Sequence, residues 1–194
     1  MNFIEKIANY CLGNLQRNHF PEIAMTALNE GIESESLYIL AGMNDRDNTF
    51  ELQQYFDNCL NELGLTLPDK YTSAQLLLNY YLNKMIIEPD TAYKTMSIID
   101  NQITKQVDWE KELELTDKKY VGEELGLEKI YTWYRELQDF EDGSMLLYFN
   151  ELPRQEQKEK FEIYMIEEAK NVKDKIDKEI TTHNNKYRSF GGAC

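Results

Sequence analysis

Apolar residues recur along most of this chain at the three- and four-residue spacing that places them on one face of an α-helix. The first such stripe comprises Phe3, Ile4, Ile7, Ala8, Cys11, Leu12 and Leu15. Pro21 predicts a break and a second helix, because proline disfavours helical geometry in the residue before it and suits a first turn. Gly31 predicts the end of that helix, Ser34 or Ser36 predicts the cap of a third, and Asn48 predicts the cap of a fourth.

The same spacing continues through the middle of the chain. It predicts a fifth helix at about Thr72–Met85. A sixth helix, capped by Asp90, would carry the apolar positions Tyr93, Met96, Ile99 and Ile103. No run of strictly alternating apolar and polar residues competes with these stripes over the first hundred residues. The pattern therefore predicts an all-α fold.

The segment Val107–Gly126 interrupts the helical pattern. It is rich in charge and its periodicity is ambiguous, so it is compatible with a brief extended segment and with a boundary between domains. A seventh helix is predicted at about Leu127–Asp139, and the short apolar run Met145–Phe149 fits either a strand or a helix. We therefore expect about 7–8 helices, with residues 1–106 as a core and 107–194 as a lobe, or one continuous domain.

A long final helix is predicted from about residue 153 to 181. Its apolar positions form a narrow stripe of Phe161, Met165, Ala169, Val172, Ile176 and Ile180. Dense charge on both sides of this stripe indicates a projecting or edge-packed helix. The following residues, Asn184–Cys194, are predicted to form a loose tail.

The net charge of −14 narrows the classes of partner. Nucleic acids and anionic lipids are bound through Lys and Arg side chains that compensate their negative charge, so an acidic chain is poorly suited to bind either of them. An acidic surface suits a basic protein, although acidity also serves solubility alone.

No stretch reaches the roughly 18 apolar residues of a membrane span, and the N-terminus lacks a signal-peptide pattern. The chain has three cysteines, an odd number, and their spacing is not that of a metal site. We therefore expect reduced thiols and a location in the cytoplasm.

The residue patterns give little support to catalysis. Asn44–Asn48 offers oxygen ligands to a hard cation but lacks the glycine and the distant glutamate of a calcium loop, so capping and solubility explain it better. His19 and His183 are far apart in sequence and have no metal-ligand or nucleophile–base spacing around them. No glycine-rich phosphate loop occurs. We therefore expect no enzyme activity, no metal and no cofactor.

Two local patterns are candidate partner-binding features. The alternating carboxylates Glu110, Glu112 and Glu114, with Asp117 beyond them, could supply a catalytic carboxylate pair, but such a segment is more often simply solvated. It is a better candidate for a docking surface that meets Lys and Arg side chains of a partner. Trp133 points away from Tyr131 and Tyr134 on a helix of 100° per residue, so it either packs on the long final helix or serves as an exposed anchor.

A stretch near the N-terminus resembles a known group of proteins. The residues are Ala27-Leu28-Asn29-Glu30-Gly31-Ile32-Glu33-Ser34-Glu35-Ser36-Leu37, continuing through Leu40-Ala41-Gly42. Over Ala27–Leu67 the chain resembles small all-α bacterial proteins of unassigned function, some of which are similar to immunity proteins that neutralise a toxin. The resemblance implies a structural element and, through the immunity proteins, a protein-binding role, and it implies no catalytic residue.

Two functions follow as hypotheses. The first is a non-catalytic module that binds a basic protein, with an immunity-type inhibitor of a basic toxin as its most specific form; Glu110, Glu112, Glu114 and Trp133 are its candidate contacts. The second is a structural or regulatory scaffold that forms homo-oligomers through the stripe Phe161–Ile180.

Overall fold

The computed structural model describes residues 1–115 and 120–188, and within these ranges the chain is all-α with no strand. This confirms the predicted fold class. The described residues form nine α-helices: α1 Phe3–Cys11, α2 Phe20–Asn29, α3 Glu35–Ala41, α4 Thr49–Glu62, α5 Lys70–Ile87, α6 Ala92–Ile99, α7 Trp109–Glu112, α8 Glu128–Asp142 and α9 Arg154–Arg188. The chain divides into two compact units, Met1–Leu77 and Leu78–Cys194. The predicted division after residue 106 stays a prediction.

The first unit is built around an aromatic stack. Phe20 of α2 and Phe56 of α4 lie parallel with ring centroids 4.0 Å apart, and the edge of Tyr10 from α1 contacts both rings. Offset and edge-on arrangements of this kind are the favoured aromatic geometries, because they match the negative ring face with a positive ring edge. Cys59 is buried beside this stack, and burial followed by the charge of Glu62 raises its pKa to about 12.

The Gly31–Met43 stretch forms the corner between α2 and α3. Gly31 has a φ of +76°, which a residue with a side chain adopts only with strain. Ser34 caps α3 by accepting a hydrogen bond from the backbone N–H of Leu37 at 3.3 Å. Ser36 instead donates its backbone N–H and its hydroxyl to the carboxylate of Glu62 at the end of α4. Glu62 therefore links the start of α3 to the end of α4 through these hydrogen bonds.

Acidification is expected to weaken this corner. The hydrogen bonds from Ser36 lower the pKa of Glu62, so its stabilisation is present above the ordinary glutamate pKa of 4.5 and is lost as the pH falls through the lowered value. Glu62→Gln should therefore lower the midpoint of urea denaturation at neutral pH. The difference in midpoint between this variant and the wild type should become smaller at acidic pH. Glu51→Gln, at an exposed position of the same helix, is the matched control. A difference that is independent of pH would contradict the assignment.

The second unit is dominated by α8 and α9. The stripe on α9 is buried as far as its side chains are described, from Phe161 at 0% exposure to Ile176 at 5%, so the fold already covers this face. On α8, Ile130, Tyr131, Tyr134 and Leu137 are buried as predicted.

Several boundary predictions were wrong. Asp90 lies within a short 3-10 turn, Pro89–Thr91, and α6 begins after Thr91, whose side chain makes no capping hydrogen bond. Tyr93 is 36% exposed. The run Met145–Phe149 is neither strand nor helix, and α9 continues through Arg188 over part of the predicted tail. Cys194 and the rest of that tail lie outside the described residues.

Candidate partner-binding surfaces

The acidic segment, residues 108–114, is fixed to the second unit by one buried indole. Trp109 is 2% exposed and donates its Nε1–H to the carbonyl oxygen of Ile103 at 3.2 Å. The side chain of Asp108 caps the short helix α7 by accepting from the backbone N–H of Lys111 at 3.3 Å. No role was predicted for Trp109.

The three predicted carboxylates of this segment face solvent. Glu110, Glu112 and Glu114 are all exposed. Glu114 follows the helix with a φ of +52°, an unusual conformation for a residue with a side chain. Asp117 lies outside the described residues. The structure therefore holds exposed carboxylates on a backbone that is anchored by Trp109.

Trp133 lies in a different environment. It is half-buried and surrounded by aromatic rings from residues 148–164, at centroid distances of 5.3 Å to Tyr148, 6.2 Å to Phe149, 6.3 Å to Phe161 and 4.9 Å to Tyr164. Of the two arrangements predicted for it, the structure has the packing against α9. All four rings around Trp133 come from outside the acidic segment.

The residues between α8 and α9 display apolar side chains to solvent. We call residues 144–152 the apolar loop. Met145 is 83% exposed, Leu147 is 71% exposed and Tyr148 is 43% exposed, whereas Leu146 between them is buried at 4%. Leu146 therefore packs into the protein, whereas the side chains of Met145 and Leu147 on either side of it point to solvent.

A buried carboxylate holds this loop in place. Glu136 on α8 is 2% exposed and accepts hydrogen bonds from the backbone N–H of Leu147 at 3.0 Å and of Tyr148 at 3.4 Å. Gln157, on α9, donates to the carbonyl oxygen of Phe149 at 2.8 Å. Phe149 itself has a φ of +58°, a strained conformation that these contacts maintain. This surface was not predicted.

A second buried polar cluster occurs where α6 widens into a π turn, Asp100–Thr104. Asp100 is 6% exposed and accepts from the hydroxyl of Tyr131 at 2.7 Å through Oδ1 and from Nζ of Lys105 at 2.6 Å through Oδ2. Burial, and then the hydrogen bond to Asp100, raise the pKa of Tyr131. Each carboxylate oxygen already has a donor, which is the arrangement that a structural ion pair requires.

The described surface also has an open groove of about 350 Å³ beside the start of α8. Its lining mixes both signs of charge: Glu128, Lys129, Glu168, Asp174, Lys175 and Lys178. Lys129 lies 4.0 Å from Glu168. This mixed lining gives the groove no strong preference for either an anion or a cation.

The other candidate residues are placed as follows. Within Asn44–Asn48, Asp47 accepts from the backbone N–H of Asn44 and Asn48 caps α4. His19 closes a 3-10 turn by contacting Gln16, and the side chain of His183 lies outside the described residues. In the part of the chain that the structure describes, no group of three or more His, Cys, Asp or Glu side chains is placed to hold a metal ion.

None of the described helices is both long enough and apolar enough to cross a membrane. Comparison with protein-family models, with curated proteins and with solved structures gives no match to this chain.

Proposed function

We propose that this chain is a non-catalytic protein-binding module whose acidic surface occupies a basic surface of its partner. The observation that supports this proposal is the acidic segment, in which Glu110, Glu112 and Glu114 are exposed on a backbone anchored by Trp109. Anchoring matters because a backbone that is already fixed loses less conformational entropy when its carboxylates meet Lys and Arg.

The most specific form of the proposal is an immunity-type inhibitor. In this form the carboxylates cover a positively charged surface that the partner needs for its own substrate, and inhibition is stoichiometric. The net charge of −14 would accelerate encounter with such a partner and make association sensitive to salt. We place this activity in the cytoplasm, where the thiols of Cys11 and Cys59, with pKa values raised by burial, would stay reduced.

Neutralising the acidic segment is expected to slow association. The triple variant Glu110→Gln, Glu112→Gln, Glu114→Gln removes three charges from exposed positions, so the fold should be retained. We expect the association rate constant for the native partner, purified from the source cells by capture on the wild-type chain, to fall about tenfold or more at low salt. Surface plasmon resonance at low and high salt measures this effect.

A matched control removes the same charge elsewhere. Its substitutions lie in the first unit, at Glu33→Gln, Glu51→Gln and Asp57→Asn. This control should keep most of the association rate, because its charges lie outside the segment that we propose as the contact. If the two triple variants associate equally fast, or if the captured protein is acidic, the proposal is wrong.

A further inference from the structure

The methionines of this chain differ widely in their access to solvent. There are seven of them. Met145 is 83% exposed and Met25 is 46% exposed, whereas Met1 and Met43 are partly buried. The remaining three are buried within the second unit: Met85, Met96 and Met165. A small solute therefore has its freest access to a methionine side chain at position 145.

The apolar loop holds Met145 in this exposed position. Its backbone is bound to both flanking helices, because Glu136 of α8 accepts a hydrogen bond from the N–H of Leu147 and Gln157 of α9 donates one to a loop carbonyl. Leu146, which directly follows Met145, is buried. These contacts fix the loop with Leu146 inside and the side chain of Met145 in solvent.

Other sulfur atoms in the described part of the chain are less open to an oxidant. The sulfur of Met1 accepts a contact from Nδ2 of Asn9 at 3.9 Å. Burial raises the pKa of the Cys11 and Cys59 thiols, which leaves little of the thiolate that reacts with peroxides. A thioether has no proton to lose, so the reactivity of a methionine depends on access instead. Access favours Met145.

We propose that Met145 is a reversible oxidation site, at which hydrogen peroxide converts the thioether to a sulfoxide and makes the loop surface polar without disturbing the fold. The sulfur lone pair attacks one peroxide oxygen, the O–O bond breaks as the S–O bond forms, and the second oxygen leaves with both protons as water. Return to the thioether takes two electrons from two thiols of a sulfoxide reductase, which form a disulfide while the oxygen leaves as water.

The position of Met145 separates a change of surface from a change of fold. Its side chain is already solvated, so the new S–O dipole meets water and needs no partner inside the protein. The same oxygen on a buried methionine would place an unsatisfied polar group in the core and destabilise it. Oxidation at Met145 therefore removes one exposed apolar side chain from the loop, and Leu147 and Tyr148 remain. This inference does not depend on the proposed protein-binding function.

A time course with hydrogen peroxide on the full chain tests the site, with peptide mass mapping to assign each added oxygen to its residue. Met145 should be oxidised first, Met25 more slowly, and the three buried methionines about tenfold or more slower than Met145, because they react only when the fold opens. In the chain unfolded by urea these rates should become similar. Native oxidation that is as fast at Met25 or at a buried methionine, or an order that persists in urea, would overturn the inference.

Matched variants connect the added oxygen to the surface. After removal of peroxide and reduction of disulfides, oxidised wild type should elute earlier from a hydrophobic-interaction column. Met25→Leu should keep most of this shift and Met145→Leu should lose most of it, whereas untreated Met145→Gln, with a polar group at the same position, should reproduce it. The urea midpoint of the protein oxidised at Met145 should equal that of the untreated protein. An equal shift in the two leucine variants, or a lowered midpoint, would contradict the proposal.

Reversal is tested on the oxidised protein in its folded state. Methionine sulfoxide reductases that act on both sulfoxide epimers, with dithiothreitol as the source of electrons, should remove the oxygen from Met145 and restore the original elution. Removal of the oxygen with restored elution supports a reversible site. An oxygen that persists at Met145 in the folded protein, but is removed after unfolding, would show that the loop blocks the reductase and would overturn reversibility.

Discussion

Replacing Trp109 with alanine is expected to lower the free energy of unfolding by about 3–5 kcal/mol, the usual range for removing a large buried aromatic side chain. The indole is 2% exposed, so its removal leaves a cavity that the surrounding side chains can fill only in part. It also leaves the carbonyl oxygen of Ile103 without the indole N–H donor. Urea denaturation of the variant and the wild type measures this loss of unfolding free energy, provided that the two proteins have the same m-value.

Trp109→Phe separates packing from the hydrogen bond. It keeps much of the apolar volume but removes the N–H donor and part of the ring system, so the expected loss is about 1–3 kcal/mol, less than in Trp109→Ala. The two variants also test the proposed function, because the acidic segment should lose its fixed backbone in Trp109→Ala and keep it in Trp109→Phe. A Trp109→Ala variant that loses less than about 1 kcal/mol would show that this residue does not anchor the segment.

The parts of the fold that depend on local sequence could be predicted. The stripes of α1, α8 and α9 are visible because a helix places residues three and four positions apart on one face. Ser34 and Asn48 cap the helices that follow them because a short polar side chain reaches the free N–H groups of a first turn. These signals lie within a few residues of the structure that they specify.

The parts that depend on distant segments could not be predicted. Glu136 lies one position before the buried Leu137, and nothing in its neighbourhood shows that a loop 11 residues downstream would cover it. A glutamate on a helix is ordinarily solvated, so burial was the less expected outcome. The apolar loop was likewise ambiguous, because the run Met145–Phe149 is too short for periodicity to distinguish strand, helix and loop.

The candidate site was predicted only in outline. The three carboxylates of the acidic segment were identified from their alternation, but Trp109, which fixes them, was not. Trp133 was identified from its angular separation from Tyr131 and Tyr134, yet its aromatic surroundings come from a loop and a helix that begin 10 or more residues later. Sequence periodicity locates a side chain on its own helix, whereas burial depends on the segment that packs over it.

The pair Asp100–Tyr131 should show strong coupling in a double-mutant cycle. Asp100→Ala leaves the buried hydroxyl of Tyr131 without its carboxylate acceptor, which is expected to cost about 1–3 kcal/mol. Tyr131→Phe removes the donor, and the carboxylate of Asp100 keeps its contact with Lys105. The double variant should lose less than the sum of the two single losses, by about 0.5–3 kcal/mol. Strict additivity in urea denaturation would contradict the hydrogen bond.

Alkaline pH gives an independent measure of the same pair. A tyrosine whose folded pKa is raised stabilises the fold below the ordinary value of 10, and this stabilisation is lost as the pH rises toward the folded value. Burial and the hydrogen bond to Asp100 both raise the pKa of Tyr131, with burial as the larger cause. We therefore expect the total loss of stability as the pH is raised above 10 to be largest in the wild type, smaller in Asp100→Ala and smallest in Tyr131→Phe. Tyr81, whose pKa burial raises to about 12, remains in all three proteins, so the difference between the wild type and Tyr131→Phe reports Tyr131.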